Sequence, residues 1–249
     1  MQTLKLNEVD YKEKTGDLPV EHNPNVFEDC FLEVDGKVIG FYLKKIPKKL
    51  SNLLSIANNE FISDSVHKSM MQRTSGVKQY STIIGAVPPN TRFGRNYVKQ
   101  SDVHRIKSAE KFVKAMLIIN MESEKLIKKY TPEIYKTQKK IMSDKIKKKW
   151  RIGDLYTSSI NNANIAADYH QDKANVKNTV NTILIKKKKS LGGNLHVPKY
   201  NATINCCNDS MLVYPAWRDM HGVTPIKADD GGYRNSFVFY PLEAVKQGK

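Results

Sequence analysis

From Trp150 onward the sequence is cut into short β-type runs by turn residues, and no other feature restricts the fold as much. Asn178 to Ile185, Leu195 to Val197, Ala202 to Cys206, Met211 to Tyr214, Gly222 to Thr224 and Phe237 to Tyr240 carry the β-branched and aromatic residues that fill a pleated, half-buried surface. Short strands at this spacing close into a sandwich or barrel, not into a parallel sheet with crossover helices. The lysine run Lys186 to Lys189 falls between two such runs and is expected as a loop at the barrel's edge.

The first half reads differently. Phe31 to Val34 and Val38 to Leu43 flank Asp35-Gly36, a dipeptide that favours a tight hairpin turn. Helical patterning covers Leu50 to Ile62, then runs from a Ser101-Asp102 cap through Val103, Ile106, Phe112, Val113, Met116 and Leu117 to Ile127. Pro132 stops or restarts it. In the next segment Ile134, Ile141, Met142 and Ile146 recur at helix spacing, while Lys136, Lys139, Lys140, Lys145, Lys147, Lys148 and Lys149 crowd the other side. The expectation is one domain over 1–249, with 1–150 as hairpin and helical support and 151–249 as the core.

Charge narrows the partner. Lys and Arg number 41 against 25 Asp and Glu, a net +16. An excess of that size attracts polyanions such as nucleic acid. The three cysteines, Cys30, Cys206 and Cys207, are too few and too poorly spaced for a disulfide framework or a tetrahedral thiolate site. No structural zinc and a reducing, intracellular setting are therefore expected. No apolar run approaches the roughly 18 residues of a membrane span, and Met1 to Asp10 lacks a signal-peptide core.

Chemistry enters at Tyr169-His170-Gln171-Asp172. On a strand, His170 and Asp172 would share a face and could hold one ion. Downstream, His221 opens a further run and can supply a third ligand. Two imidazoles and a carboxylate leave sites of an octahedral ion free for a bidentate 2-oxo acid and O2, which suits non-haem Fe(II). Arg234 and Ser236, on one strand face, could fork onto a carboxylate and add a hydrogen bond.

Four stretches within 91–242 then carry a resemblance: Phe93-Gly94-Arg95, His170-Gln171-Asp172-Lys173-Ala174-Asn175, Leu195-His196-Val197-Pro198 and Arg234-Asn235-Ser236-Phe237-Val238-Phe239-Tyr240. The sequence resembles the TET/JBP Fe(II)- and 2-oxoglutarate-dependent nucleic-acid base dioxygenases, in the short form found in phages and microbes. The resemblance implies an α+β fold: a double-stranded β-helix (jelly-roll, cupin-like) core, with an N-terminal hairpin and helices packed on one sheet. It implies His170, Asp172 and His221 as iron ligands, and Arg234, Ser236, His196 and Arg95 as residues for 2-oxoglutarate. Asn175 would pair with a flipped base and Tyr240 would stack on it.

The reaction implied is oxidation of the methyl group of 5-methylcytosine in methylated DNA to 5-hydroxymethylcytosine, using Fe(II), 2-oxoglutarate and O2 in the cell the gene acts in. Leu242 stands where the family places a base-contacting His, and the cysteine-rich zinc region of the animal enzymes is absent. Thymine in DNA therefore stays open as the target. Two further readings stand beside it: hydroxylation of a protein or small molecule, and a nucleic-acid binder whose barrel is catalytically dead.

Overall fold

Two β-sheets with helices on one side emerge from this pattern, in a computed structural model that describes residues 1–71 and 79–247. In chain order β1 (Gln2–Lys5), β2 (Cys30–Val34) and β3 (Lys37–Leu43) precede α1 (Lys48–Ile62). Next come β4 (Ser69–Met71), β5 (Gln79–Val87) and β6 (Lys99–Gln100), then α2 (Glu110–Tyr130) and α3 (Pro132–Lys145). The remainder is β7 (Ser158–Ala163), β8 (Ala167–His170), β9 (Asn181–Gly192), β10 (Leu195–Val197), β11 (Ala202–Ile204), β12 (Met211–Tyr214), β13 (His221–Val223) and β14 (Ile226–Tyr240).

The larger sheet runs β1-β2-β3-β12-β9-β14-β7-β5-β4, with β6 on β5; the smaller runs β11-β10-β13-β8. Because β3 pairs with β12 and β5 with β7, the larger sheet draws strands from both halves of the chain. Residues 1–150 therefore build the sheet as well as support it.

Strand alternation decides what each face of the larger sheet meets. Phe237 and Phe239 of β14, with Leu184 of β9, pack against Leu54 and Phe61 of α1 and Phe112 and Met116 of α2. The opposite face, with Ile183, Ile185, Leu212 and Tyr214, meets Leu195, Val197 and Ile204 of the smaller sheet. The hairpin expected at Asp35-Gly36 is present: both residues have positive φ (50° and 73°), as a two-residue turn matching strand twist requires.

Two expectations are corrected. The second helix starts at Glu110, not at Ser101: 3-10 turns occupy 102–105 and 107–109, Ile106 between them is extended (φ −85°, ψ 112°), and Ser101 makes no capping bond. The lysine run is not a loop. β9 continues through it because β14 is long enough to pair with it, Asn235 opposite Lys186 and Arg234 opposite Lys187. Lys186 is buried against Asp209 (3.0 Å) and Ser55, so the run is not a uniform basic edge.

Candidate metal centre

His170 ends β8 and His221 begins β13, and the two residues pair directly across the smaller sheet. Asp172 lies past the end of β8, in the turn that follows, and so reaches the histidines by a change of chain direction and not by strand alternation. Its N–H donates to the Ala216 carbonyl at 3.0 Å. Gln171 fastens the same turn by donating to the carbonyls of Trp217 (2.8 Å) and Arg218 (2.7 Å), just ahead of His221. One ligand atom from each of His170, Asp172 and His221 lies within 4.8 Å of the others.

Each donor is oriented. The Nδ1 of His170 meets the Asp168 carbonyl at 2.6 Å, and that of His221 meets the Asp219 carbonyl at 3.0 Å. A carbonyl only accepts, so both Nδ1 atoms carry hydrogen and both Nε2 lone pairs are free to ligate. Burial, then the neighbouring His170, holds the His221 imidazole below its usual pKa and so in the neutral form a metal needs. On Asp172, Oδ2 accepts from Asn181 Nδ2 (3.0 Å) and Asn175 Nδ2 (3.4 Å), while Oδ1 faces His170 Nε2 at 3.5 Å. One carboxylate oxygen is thus occupied by amides and the other is directed toward the histidines. This donor set, two oriented imidazoles and a carboxylate, fits a divalent ion such as Fe(II) that keeps open positions.

The three donors line a cavity of about 280 Å³ together with Arg234, Ser236, Val238 and Tyr240, which β14 presents on one face. Apolar side chains of Ile160, Ile165, Ile183, Leu195 and Val223 form much of the remaining wall. Arg234 is 2 % exposed. Its Nε donates to the Gly193 carbonyl at 3.1 Å, and no carboxylate lies within ion-pairing distance among the described residues. Gly193 has φ +67°, and a Cβ there would come within 3.0 Å of the Arg234 side chain, so the absence of a side chain lets the guanidinium pass. A buried cation without a counter-ion is unfavourable, and the cavity is where an anion could reach it.

Asn175 is buried and also lines the cavity, and its Nδ2 is engaged within the protein, donating to Asp172 and to Asn181 Oδ1 at 2.9 Å. Leu242, bridged to Asn175, adds an apolar side chain to the wall. The hydroxyl of Tyr240 is pushed to higher pKa by burial and by the charge of Asp172, so it stays protonated.

The structure gathers seven of the nine expected site residues around this cavity and leaves two elsewhere. His196 follows Leu195, which faces inward, so alternation turns it to the outer face of the smaller sheet, where Nδ1 bonds Thr203 Oγ1 at 2.9 Å. Arg95 donates to the Pro88 carbonyl and does not line the cavity. Neither is placed to hold a ligand at the metal centre. Asn181 and Gln171 carry work that sequence reading missed; an Asn opening an apolar strand was the one available signal. Trp217, just ahead of His221 in the chain, donates Nε1 to the Thr179 carbonyl at 2.8 Å.

No family model matches the sequence, and no curated protein matches it. Among solved structures, NgTET1 in complex with 5mC DNA aligns with 88% of this chain and 78% of its own at 15% identity, TM-score 0.64. An oxidoreductase of the 2OG-Fe(II) oxygenase family from Burkholderia pseudomallei aligns with 81% of this chain and 84% of its own at 10% identity, TM-score 0.47. OsALKBH1 aligns over 81% and 97% at 13% identity, TM-score 0.44. With its helices packed on the larger sheet, this chain therefore has the α+β, double-stranded β-helix fold of the TET1 structure.

Proposed function

We propose that this protein is an Fe(II)- and 2-oxoglutarate-dependent dioxygenase that oxidises the methyl group of 5-methylcytosine in DNA. One observation carries the reading: a buried, unpaired Arg234 opens into the same cavity as the His170, Asp172 and His221 donors. That pairing provides one end for a metal and the other for a carboxylate. Fold likeness to a TET1 structure in complex with 5mC DNA supports the substrate class.

Each wall has a task. His170, His221 and the free oxygen of Asp172 would hold Fe(II), and Arg234 with Ser236 would hold the far carboxylate of 2-oxoglutarate. The iron with its 2-oxo acid supplies the activation of O2 that attack on a methyl C–H bond needs. The apolar wall limits water, which protects such chemistry from side reactions. A stacked base cannot reach this depth, so it must be extruded at a cost of a few kcal/mol. The Tyr240 ring would offset part of that by stacking.

Asn175 favours cytosine over thymine. Its Nδ2 hydrogens are engaged by Asp172 and Asn181, which leaves Oδ1, an acceptor, for a ligand. Cytosine offers the N4 amino donor where thymine offers an O4 acceptor.

Nucleoside mass spectrometry tests this directly, after incubating methylated and unmethylated DNA with the protein, Fe(II), 2-oxoglutarate and ascorbate. 5-Hydroxymethylcytosine is expected from methylated DNA only, and none with Asp172→Ala. Succinate formation with every nucleoside unchanged would move the substrate to a protein or small molecule; hydroxymethyluracil would move it to thymine.

A further inference from the structure

The outer face of the smaller sheet carries a second group of donors, and we propose that Glu13, His22 and His196 form a binding site for a divalent transition-metal ion of the zinc class. The segment between β1 and β2 crosses this face as a strap. Gly16 N–H bonds the Tyr169 carbonyl, Tyr169 N–H bonds Asp17, and the N–H groups of Asn25 and Val26 bond Thr203. Buried Pro19 sits over Gly222, where a Cβ would come within 2.6 Å of its ring. This course brings Glu13 and His22 to His196, and one ligand atom from each lies within 4.8 Å of the others.

The polar atoms there are poorly satisfied. His196 is buried, and with Nδ1 bonded to Thr203 its Nε2 is the atom left to ligate. The Nε2 of His22 is buried without a hydrogen-bond partner, as is the hydroxyl of Tyr169, whose ring meets His196 at 5.9 Å. Buried polar groups without partners are uncommon and call for an explanation. An ion would satisfy the His22 nitrogen and draw in the Glu13 carboxylate. Two imidazoles and a carboxylate are a zinc donor set, with water completing the tetrahedron. The small number of cysteines excludes only a thiolate site.

The two imidazoles stack face to face, 3.8 Å apart and 8° from parallel. Coordination requires the His22 ring to turn out of that stack toward Nε2 of His196. His22 is half-buried on the irregular strap, whereas His196 is pinned by Thr203, so His22 is the ring that moves. His196 of β10 pairs across the sheet with Gly222 of β13, next to His221, so the two clusters lie on opposite faces of the smaller sheet. The second ion would clamp the strap onto the back of the wall that carries the first.

The site is independent of the reading of the triad, and the test separates them. Full-length Asp172→Ala/His221→Ala protein, freed of metal, is titrated with Zn(II) by calorimetry and with Co(II) by visible absorption. One equivalent is expected, with the intense bands of tetrahedral Co(II), and a Zn-dependent rise in melting temperature. Adding His22→Ala, or the milder His22→Gln with circular dichroism unchanged, is expected to abolish all three. No binding by the triad-less protein overturns the site, as does an equivalent that survives loss of His22. Should the triad-less protein not fold, otherwise wild-type protein is expected to bind two equivalents and His22→Ala one; equal counts overturn the site and leave the triad reading intact.

Discussion

Asn181 and Asn175 both place a side-chain N–H on Oδ2 of Asp172, and the shorter contact belongs to Asn181. Partners of this kind orient a ligand and typically change metal affinity by about 10–100-fold. Asn181→Ala is therefore expected to weaken Mn(II) or Fe(II) binding by about tenfold or more, with Asn175→Ala weaker in effect; unchanged affinity in a metal titration would contradict the role. Arg234 gives a prediction of opposite signs. Arg234→Met removes an unpaired buried charge, so the ligand-free protein should melt no lower than wild type, while 2-oxoglutarate affinity should fall by about 2–5 kcal/mol. Thermal scans with and without 2-oxoglutarate read both. At this scale the sequence exposed the residues with distinctive chemistry, the histidines, Asp172 and Arg234. It concealed Asn181 and Gln171, whose importance comes from partners brought close only by folding.

β14 shows how one element serves two layers. Phe237 and Phe239 enter the helical core while Arg234, Ser236, Val238 and Tyr240 face the cavity, so a one-residue slip against β9 would exchange the two sets. β5 is held from outside by a histidine: Gly85 N–H donates to Nε2 of His104 at 2.9 Å. Burial lowers the pKa of that imidazole, and only its neutral form can accept the bond. Because the folded value lies below the unfolded one of about 6.5, the contribution is full above that pH and is lost as pH falls from there through the folded value. Urea unfolding at pH 8 and pH 5 should show wild type losing more stability on acidification than His104→Gln, by about 1 kcal/mol. Equal losses would remove His104 from the account. The hairpin and α1 were legible because turn chemistry and helical periodicity are local. The start of α2 and the length of β9 were not: Ile106 fits the helical period yet is extended in the fold, and the pairing strand β14 lies outside the window that a local pattern covers.

Over the whole molecule the charge is unevenly used. Lys139 pairs with Asp154 and Lys136 with Glu133, whereas Lys140, Lys145, Lys147 and Lys148 are exposed with no carboxylate partner among the described residues. Met142 and Ile146 of the same segment pack on Val176, the residue after Asn175, which ties this basic segment to the turn that carries Asp172. If DNA is the substrate, Lys140→Glu/Lys145→Glu should weaken binding uniformly across sequences and reduce the slope of log affinity against log salt by about one per lost phosphate contact. Fluorescence anisotropy over a salt series measures it; an unchanged slope would place the DNA on another face. No helix of the described chain is long and apolar enough to cross a membrane.

By itself the sequence determined the donor types, the strand-rich second half and the basic excess, because side-chain chemistry and hydrophobic period are written residue by residue. Only the tertiary structure decided which donors meet. Strand alternation sent Leu195 inward and His196 outward, a turn rather than a strand brought Asp172 to the histidines, and β14 drew the lysine run into a ladder. Those outcomes depend on pairings between segments far apart in the chain, and a local pattern carries no information about them.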